Sequence, residues 1–247
     1  MTKYTNTMNK GVMALTWKQK IGILFLSVVL FAVSSAAQDI YLAPRAKRVV
    51  VDGKLNEWEG VPAITLNSNA YIVIANRSWK GPADLSGKIY VMWDEEYLYV
   101  ACEIEDDVVI QEKEGTYLFQ GDCIELYVRL DYEKNALLNY YTLTDFQFGF
   151  TPGTNAGAPD YHIWNNSTVL EDILFEAAKT PTGYIMEVAI PVWELGIFLD
   201  AGMEIGFDVA IDDVDSPGAQ DTEQQLCWSM SDMGWQDPTV FQLVILD

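Results

Sequence analysis

The chain has 247 residues, 36 of them acidic against 15 basic and one histidine, for a net charge of −21 at neutral pH. A surface this acidic repels phosphate backbones, which excludes nucleic acid as a partner. The acidity reads otherwise as a solvated face that favours solubility or, more sharply, as divalent-cation binding by some of the carboxylates.

In chain order, the first segment carries Lys3, Lys10, Lys18 and Lys20 and no acid, then an apolar run from Ile21 to Val33, then Ser34, Ser35, Ala36 and Ala37. Positive charge, apolar run and small-residue exit in that order form a secretory signal, and the run is shorter than the roughly 20 apolar residues a spanning helix needs. No cysteine precedes Cys102, so lipid attachment at a cleavage-site cysteine is ruled out. The expectation is a cleaved signal peptide over residues 1–37, a mature chain from Gln38, a secreted or periplasmic location and no transmembrane segment after cleavage. Residues 38–247 then hold 11 basic and 36 acidic residues, a net charge of −25, and have the length of one all-β domain.

The mature sequence has almost no helical periodicity. Short runs rich in Val, Ile, Tyr and Phe alternate with turns of Gly, Asn, Asp and Pro, the pattern of an antiparallel sandwich. Ile89, Val91 and Trp93 share one side of a strand that turns at Asp94-Glu95-Glu96, and the return from Tyr97 to Glu105 places Leu98, Val100, Cys102 and Ile104 together. That period of two predicts a half-buried hairpin. From Asp122 to Leu130, Ile124, Leu126 and Val128 face a core while Cys123, Glu125, Tyr127 and Arg129 form a polar-aromatic row. Thr144 to Phe150 opposes Phe146, Phe148 and Phe150 to Asp145, Gln147 and Gly149. Residues 151–166 read as a loop. Further strands are expected over Val169–Ala177 and Tyr184–Ile190, the second stopped by Pro191, then a helical turn within Val192–Leu199. Strands over Glu204–Asp212, Gln225–Met230 and Phe241–Leu246 complete ten or more.

Cys102, Cys123 and Cys227 are an odd number; one bridge at most is possible and the sequence does not choose it. A serine nucleophile needs a histidine base, and the lone His162 has no nucleophile motif around it and reads as a loop residue. Phosphate-loop and dinucleotide fingerprints are absent. Glycosidase chemistry needs two carboxylates at a set spacing, but 36 acidic residues make that match uninformative. Aromatic supply stands out instead: eight Trp, thirteen Tyr and ten Phe. Sugars pack flat C–H faces on aromatic rings while their hydroxyls need a few fixed polar partners. Trp58, Trp93, Trp193 and Trp228 fall in strand or strand-flanking patterns and are expected in packing. Trp164 and Trp235 lie among Gly, Asn, Asp and Pro and are expected at the surface.

Six segments, in order, carry a family resemblance. Val51-Asp52-Gly53-Lys54-Leu55-Asn56-Glu57-Trp58 resembles the opening of the family 9 carbohydrate-binding modules. Trp93-Asp94-Glu95-Glu96-Tyr97-Leu98-Tyr99-Val100 is similar to that family's Trp-Asp-x-x-Tyr-Leu-Tyr-Val hairpin. Gly121 to Tyr127, Gly183 to Ile190, Ile205 to Asp208, and Trp235-Gln236-Asp237-Pro238 with Phe241 match its later motifs.

The resemblance implies an all-β, jelly-roll-like (DOMON-like) antiparallel β-sandwich over residues 38–247. It also implies non-catalytic binding of a β-glucan or xylan chain end, with extracellular glycoside hydrolases as partners in polysaccharide degradation. By the same resemblance, Trp235 is one ring of an aromatic clamp and Phe119 the other, where the family has Trp. Glu125, Gln147 and Asp232 are its polar partners. Gly149 stands where sugar-binding members carry an arginine. Structural calcium is implied too, with Asp106, Asp107, Asp213 and Asp215 as acidic loop residues able to offer hard oxygens. Two other readings stay open: a haem-binding relative using His162 with Met92 or Met230, and an interaction domain without a small ligand.

Overall fold

The computed structural model describes residues 40–153 and 158–247; the signal-peptide expectation for residues 1–37 lies outside them. Thirteen strands form two packed sheets among the described residues. Five of them, β2 (Ile64–Leu66), β4 (Leu85–Trp93), β5 (Tyr97–Asp106), β10 (Gly183–Pro191) and β9 (Leu174–Thr180), make an antiparallel sheet in that spatial order. The second sheet runs β1 (Tyr41–Ala43), β13 (Gln242–Leu246), β11 (Glu204–Asp213), β6 (Cys123–Arg129), β7 (Asp145–Thr151), β8 (Asp160–Trp164). In it, β12 (Gln224–Cys227) pairs with the later half of β11 and with β3 (Ile72–Ala75). Every pairing is antiparallel except β1 with β13, which run parallel.

The period of two seen in the sequence decides what lies between the sheets. Val91, Trp93, Leu98, Val100, Ile104 and Met186 meet Ile124, Leu126, Phe146, Phe148, Phe207 and Val209 in one buried cluster. Alternate residues of the same strands face outward. On the five-stranded sheet that outer face is capped by the segment before β2: Trp58 packs with Met92, Tyr99 and Ala101 in a second cluster. Gly53 makes this wrap possible, since its φ of 75° lies in the left-handed region.

Several expectations are corrected. Part of the anticipated 151–166 loop is strand β8, an edge strand whose order comes from pairing with β7. The strand expected from Val169 starts at Leu174. Ahead of it, the backbone N–H groups of Glu171 and Asp172 donate to the Glu194 carboxylate, an irregular tether that replaces a ladder. Trp193 is not packed in the core: after Pro191 ends β10, a single tight turn over Val192–Leu195 buries Val192 and leaves Trp193 37% exposed. Asp106 and Asp213 are buried strand ends rather than loop residues. The three cysteines are free and buried.

Candidate functional site: an aromatic-walled cavity

The outer face of the eight-stranded sheet is polar yet buried. Cys123, Glu125, Tyr127 and Arg129 of β6 stand beside Asp145, Gln147 and Gly149 of β7, and all of them are covered. Arg129 anchors part of the cover. Its guanidinium binds Asp145 bidentately at 2.9 and 3.0 Å and donates to the carbonyls of Asn135, Leu138 and Tyr140. All five N–H groups are thereby used, so Arg129 shapes the 130–144 connection and has no donor left for a ligand. That connection in turn supports the next wall, since Tyr141 OH donates to the Gly234 carbonyl at 2.6 Å.

Beside this network a cavity of about 430 Å³ opens on the sheet, a volume within the range of small-ligand sites. The structure brings all five residues named from the sequence to it: Phe119, Glu125, Gln147, Asp232 and Trp235. Phe119 comes from a 3₁₀ segment, Gly115–Gln120. Trp235 stands in a turn closed by Gln236 and Asp237 N–H bonds to the Met233 carbonyl, and is 54% exposed. Glu125 lies at the base. Its carboxylate accepts from Gln147 Nε2 at 2.5 Å, Tyr127 OH at 3.0 Å and Gln225 Nε2 at 3.3 Å. Burial pushes the Glu125 carboxyl up against these bonds. Neighbouring Asp212 is pushed well above the carboxylate range by burial and then by the charge of Glu125. Most of Glu125's acceptor capacity is thus spent inside the protein, so Glu125 holds Gln147 and Tyr127 in place.

Tyr127, Asn165, Asp221, Thr222 and Gln225, which no sequence motif marks as site residues, line the same cavity. The sequence predicts Trp164 only as a surface aromatic. In the structure Trp164 ends β8 half-buried, and its indole lies so close over Gly149 that a Cβ there would collide with Cη2 and Cζ3 of the ring. Gly149 therefore makes room for an aromatic wall, which no local sequence pattern announces.

A family model described as "Carbohydrate family 9 binding domain-like" matches residues 51–247. The chain belongs to this family. Among curated relatives, it is 28% identical over 223 residues to an exoglucanase, XynX, of Acetivibrio thermocellus, and 27% identical over 223 residues to an endo-1,4-beta-xylanase A of Thermoanaerobacterium saccharolyticum. Each match covers 90% of this chain but only 18% and 17% of the relative, so the chain spans less than a fifth of those proteins. Among solved structures, a family 9 carbohydrate-binding module from Caldicellulosiruptor kristjanssonii in complex with cellotriose superposes with a TM-score of 0.66 at 18% identity, covering 85% of this chain and 94% of that one. A putative carbohydrate-binding protein of Bacteroides uniformis gives a TM-score of 0.52 at 11% identity, with 85% and 99% covered. At these identities the structural likeness shows the family 9 sandwich and no more.

Two groups of acidic side chains bear on the calcium expected of a family 9 domain. Asp106, Asp213 and Asp215 bring ligand oxygens within 4.8 Å of one another, as do Asp84, Asp107 and Asp215. Asp106 Oδ2, Asp213 Oδ1 and Asp215 Oδ1 are buried without a hydrogen-bond partner, a condition that a hard cation relieves. Burial, with the mutual repulsion of the carboxylates, pushes Asp106 up to about 6 and Asp213 up to about 7. Arg77 neutralises part of this charge through Asp213 at 3.0 Å, Asp84 at 3.3 Å and Asp215. Asp106, Asp213 and Asp215 would hold a calcium ion through these oxygens, whereas Asp84, in the other group, is already engaged by Arg77, Lys80 and Gln224.

Of the two haem pairs, His162 with Met92 is separated by the fold. Met92 is buried in the Trp58 cluster outside the five-stranded sheet, whereas His162 sits on β8 of the other sheet with its ring 5.1 Å from that of Trp164. The cavity that His162 borders has no methionine among its described residues, and Met230, the other candidate, is exposed.

Proposed function

We propose that the chain is a non-catalytic sugar-binding module that holds the end of a neutral β-glucan or xylan chain in the aromatic-walled cavity. The observation that carries this reading is the convergence of Phe119, Trp164 and Trp235 with Gln147, Asn165 and Asp232 on one cavity of about 430 Å³. Apolar ring faces suit the C–H patches of a pyranose, and fixed amides and carboxylates beside them suit its hydroxyls. Cellotriose in the Caldicellulosiruptor module, and the naming of the relatives as exoglucanase and xylanase, favour a glucan or xylan. In this reading the domain is exported, brings glycoside hydrolases to polysaccharide and takes structural calcium at the Asp106–Asp213–Asp215 cluster. Calorimetric titration of the purified protein with cellotriose and xylotriose tests it. Saturable binding of either, weakened in Trp235→Ala, is expected; no heat from either sugar at millimolar concentration removes the proposal.

A further inference from the structure

We propose that the dipeptide Trp164-Asn165 positions both aromatic ends of the cavity, and so determines which neutral sugar chain it accepts. The inference rests on the sugar-binding reading above for its ligand but not for its geometry.

Trp164 ends β8, and a continued strand would point Asn165 to the opposite face of the sheet, yet both line the cavity. The backbone of Asn165 explains this. Its φ of 57° lies in the left-handed region, which asparagine tolerates better than most residues, and the break in the pleat turns the two side chains to the same side. From there each takes one wall. The Trp164 indole settles over Gly149, donates from Nε1 to the Thr116 carbonyl at 3.1 Å and meets the Phe119 ring edge-on at 6.2 Å and 73°. Thr116 and Phe119 belong to one short segment, Gly115–Gln120, so two contacts from a single indole hold it. Asn165 reaches the other way: Nδ2 donates to Gln147 Oε1 at 2.6 Å and to the Trp235 carbonyl at 2.7 Å. This tie spans 70 residues of sequence. It fixes the otherwise exposed Trp235 turn to the amide at the cavity floor. A shift in either residue moves one ring relative to the other, and the spacing between rings decides which pyranose fits.

Asn165→Gly separates backbone from side chain, because glycine keeps the left-handed conformation at no steric cost while the amide is lost. Gly149→Ala acts on the other wall by pushing the indole off β7. Both are compared with the parent by amide hydrogen exchange, thermal melting, and titration with cellotriose and xylotriose. The expected result for Asn165→Gly is faster exchange over residues 233–237 and about tenfold weaker cellotriose binding, the loss of roughly one to two hydrogen bonds, at a melting temperature close to the parent's. For Gly149→Ala it is faster exchange over 115–120 and a changed ratio of cellotriose to xylotriose affinity. If Asn165→Gly melts early, Asn165→Asp, which tolerates the same backbone but presents only acceptors to two carbonyl oxygens, is expected to show the same local exchange. Unchanged exchange at both segments overturns the positioning role. If the parent binds neither sugar while exchange responds as stated, the ligand reading fails and the positioning role stands.

Discussion

The indole Nε1–H of Trp58 donates to Glu187 Oε1 at 2.8 Å, with both side chains buried. The second oxygen of the same carboxylate accepts the backbone N–H groups of Asp52, Gly53 and Lys54 at 2.9, 2.7 and 3.1 Å. Two of the motifs noted in the sequence, Asp-Gly…Trp and Gly-Tyr-x-x-Glu, are thus two halves of one hydrogen-bonded unit that pins the segment before β2 onto the five-stranded sheet. Glu187→Gln retains the shape but turns an NH₂ toward one set of donors, so it is expected to cost about 2–4 kcal/mol, whereas Trp58→Phe, losing one N–H, costs about 1–2 kcal/mol. Urea unfolding of both variants beside the parent measures the difference; a loss below 1 kcal/mol for Glu187→Gln contradicts it.

Trp235 and Trp93 should respond in opposite ways to truncation. Trp235 is 54% exposed at the cavity, so Trp235→Ala is expected to leave melting nearly unchanged and weaken cellotriose binding by about 1–3 kcal/mol. Trp93 is buried between the sheets and donates from Nε1 to the Ala43 carbonyl at 3.0 Å. Its replacement by Ala should cost about 3–5 kcal/mol of stability. Melting and titration of both variants distinguish the two roles, and equal loss of binding and stability in Trp235→Ala counts against its assignment to the site.

The charge lining the cavity predicts a preference for neutral sugars. Glu125, Asp221 and Asp232 line it, with no Lys, Arg or His among its lining residues. A sugar end bearing a carboxylate meets like charge without a counter-ion. Xylo-oligosaccharides ending in glucuronic acid are therefore expected to bind at least about tenfold more weakly than neutral ones, with the gap narrowing as salt is raised. Parallel titrations at low and high salt check this, and equal affinity for both ligands refutes it.

Calcium should raise the melting temperature through the buried aspartates. At a hundredfold excess over its dissociation constant a ligand of the native state adds about 3 kcal/mol, or roughly 5–10 °C for a chain of this size. Asp106→Asn and Asp213→Asn are expected to abolish the shift, with calcium and chelator scans as the measurement.

A pH dependence follows from Asp208, which burial pushes up to about 6. Its Oδ1 accepts the N–H groups of Val209 and Ser229, and the Cys227 thiol donates to Oδ2 at 3.3 Å; Tyr127 stands opposite on β6. Because the folded pKa lies above the unfolded value, the folded state holds this proton between about pH 4 and 6 while the unfolded chain has released it. The resulting stabilisation is complete at or below pH 4 and is lost as pH rises through 6, a change of up to about 3 kcal/mol. Asp208→Asn keeps the acceptor and removes the titration. Its stability should match the parent at pH 4 and exceed it at pH 7; a constant difference across that range contradicts the assignment.

What the sequence disclosed follows from where the information lies. The hairpin of β4 and β5 and the core faces of β6 and β7 were legible because alternation is local and one face is apolar. The strands β1, β2 and β3 were not, since three or four residues give no period to read. Strand β8, only five residues long, was hidden between turn-forming residues; pairing with β7 orders it. At the cavity, Phe119, Glu125, Gln147, Asp232 and Trp235 could be named by resemblance. Asn165 could not, because its role depends on a carbonyl 70 residues away and on a left-handed backbone that one asparagine does not announce.

The parallel pairing of β1 with β13 has a mechanical consequence. Tyr41, Leu42 and Ala43 lie in register with Val244, Ile245 and Leu246, and Asp247 N–H donates to the Ala43 carbonyl at 2.8 Å. Tension applied through residue 40 and residue 247 therefore pulls these two strands in opposite directions along their own axes. The rungs of that ladder are strained together in shear rather than opened one after another like a zipper. Stretched from both ends in a force spectrometer, the domain should resist as a clamp until the whole patch gives way at once.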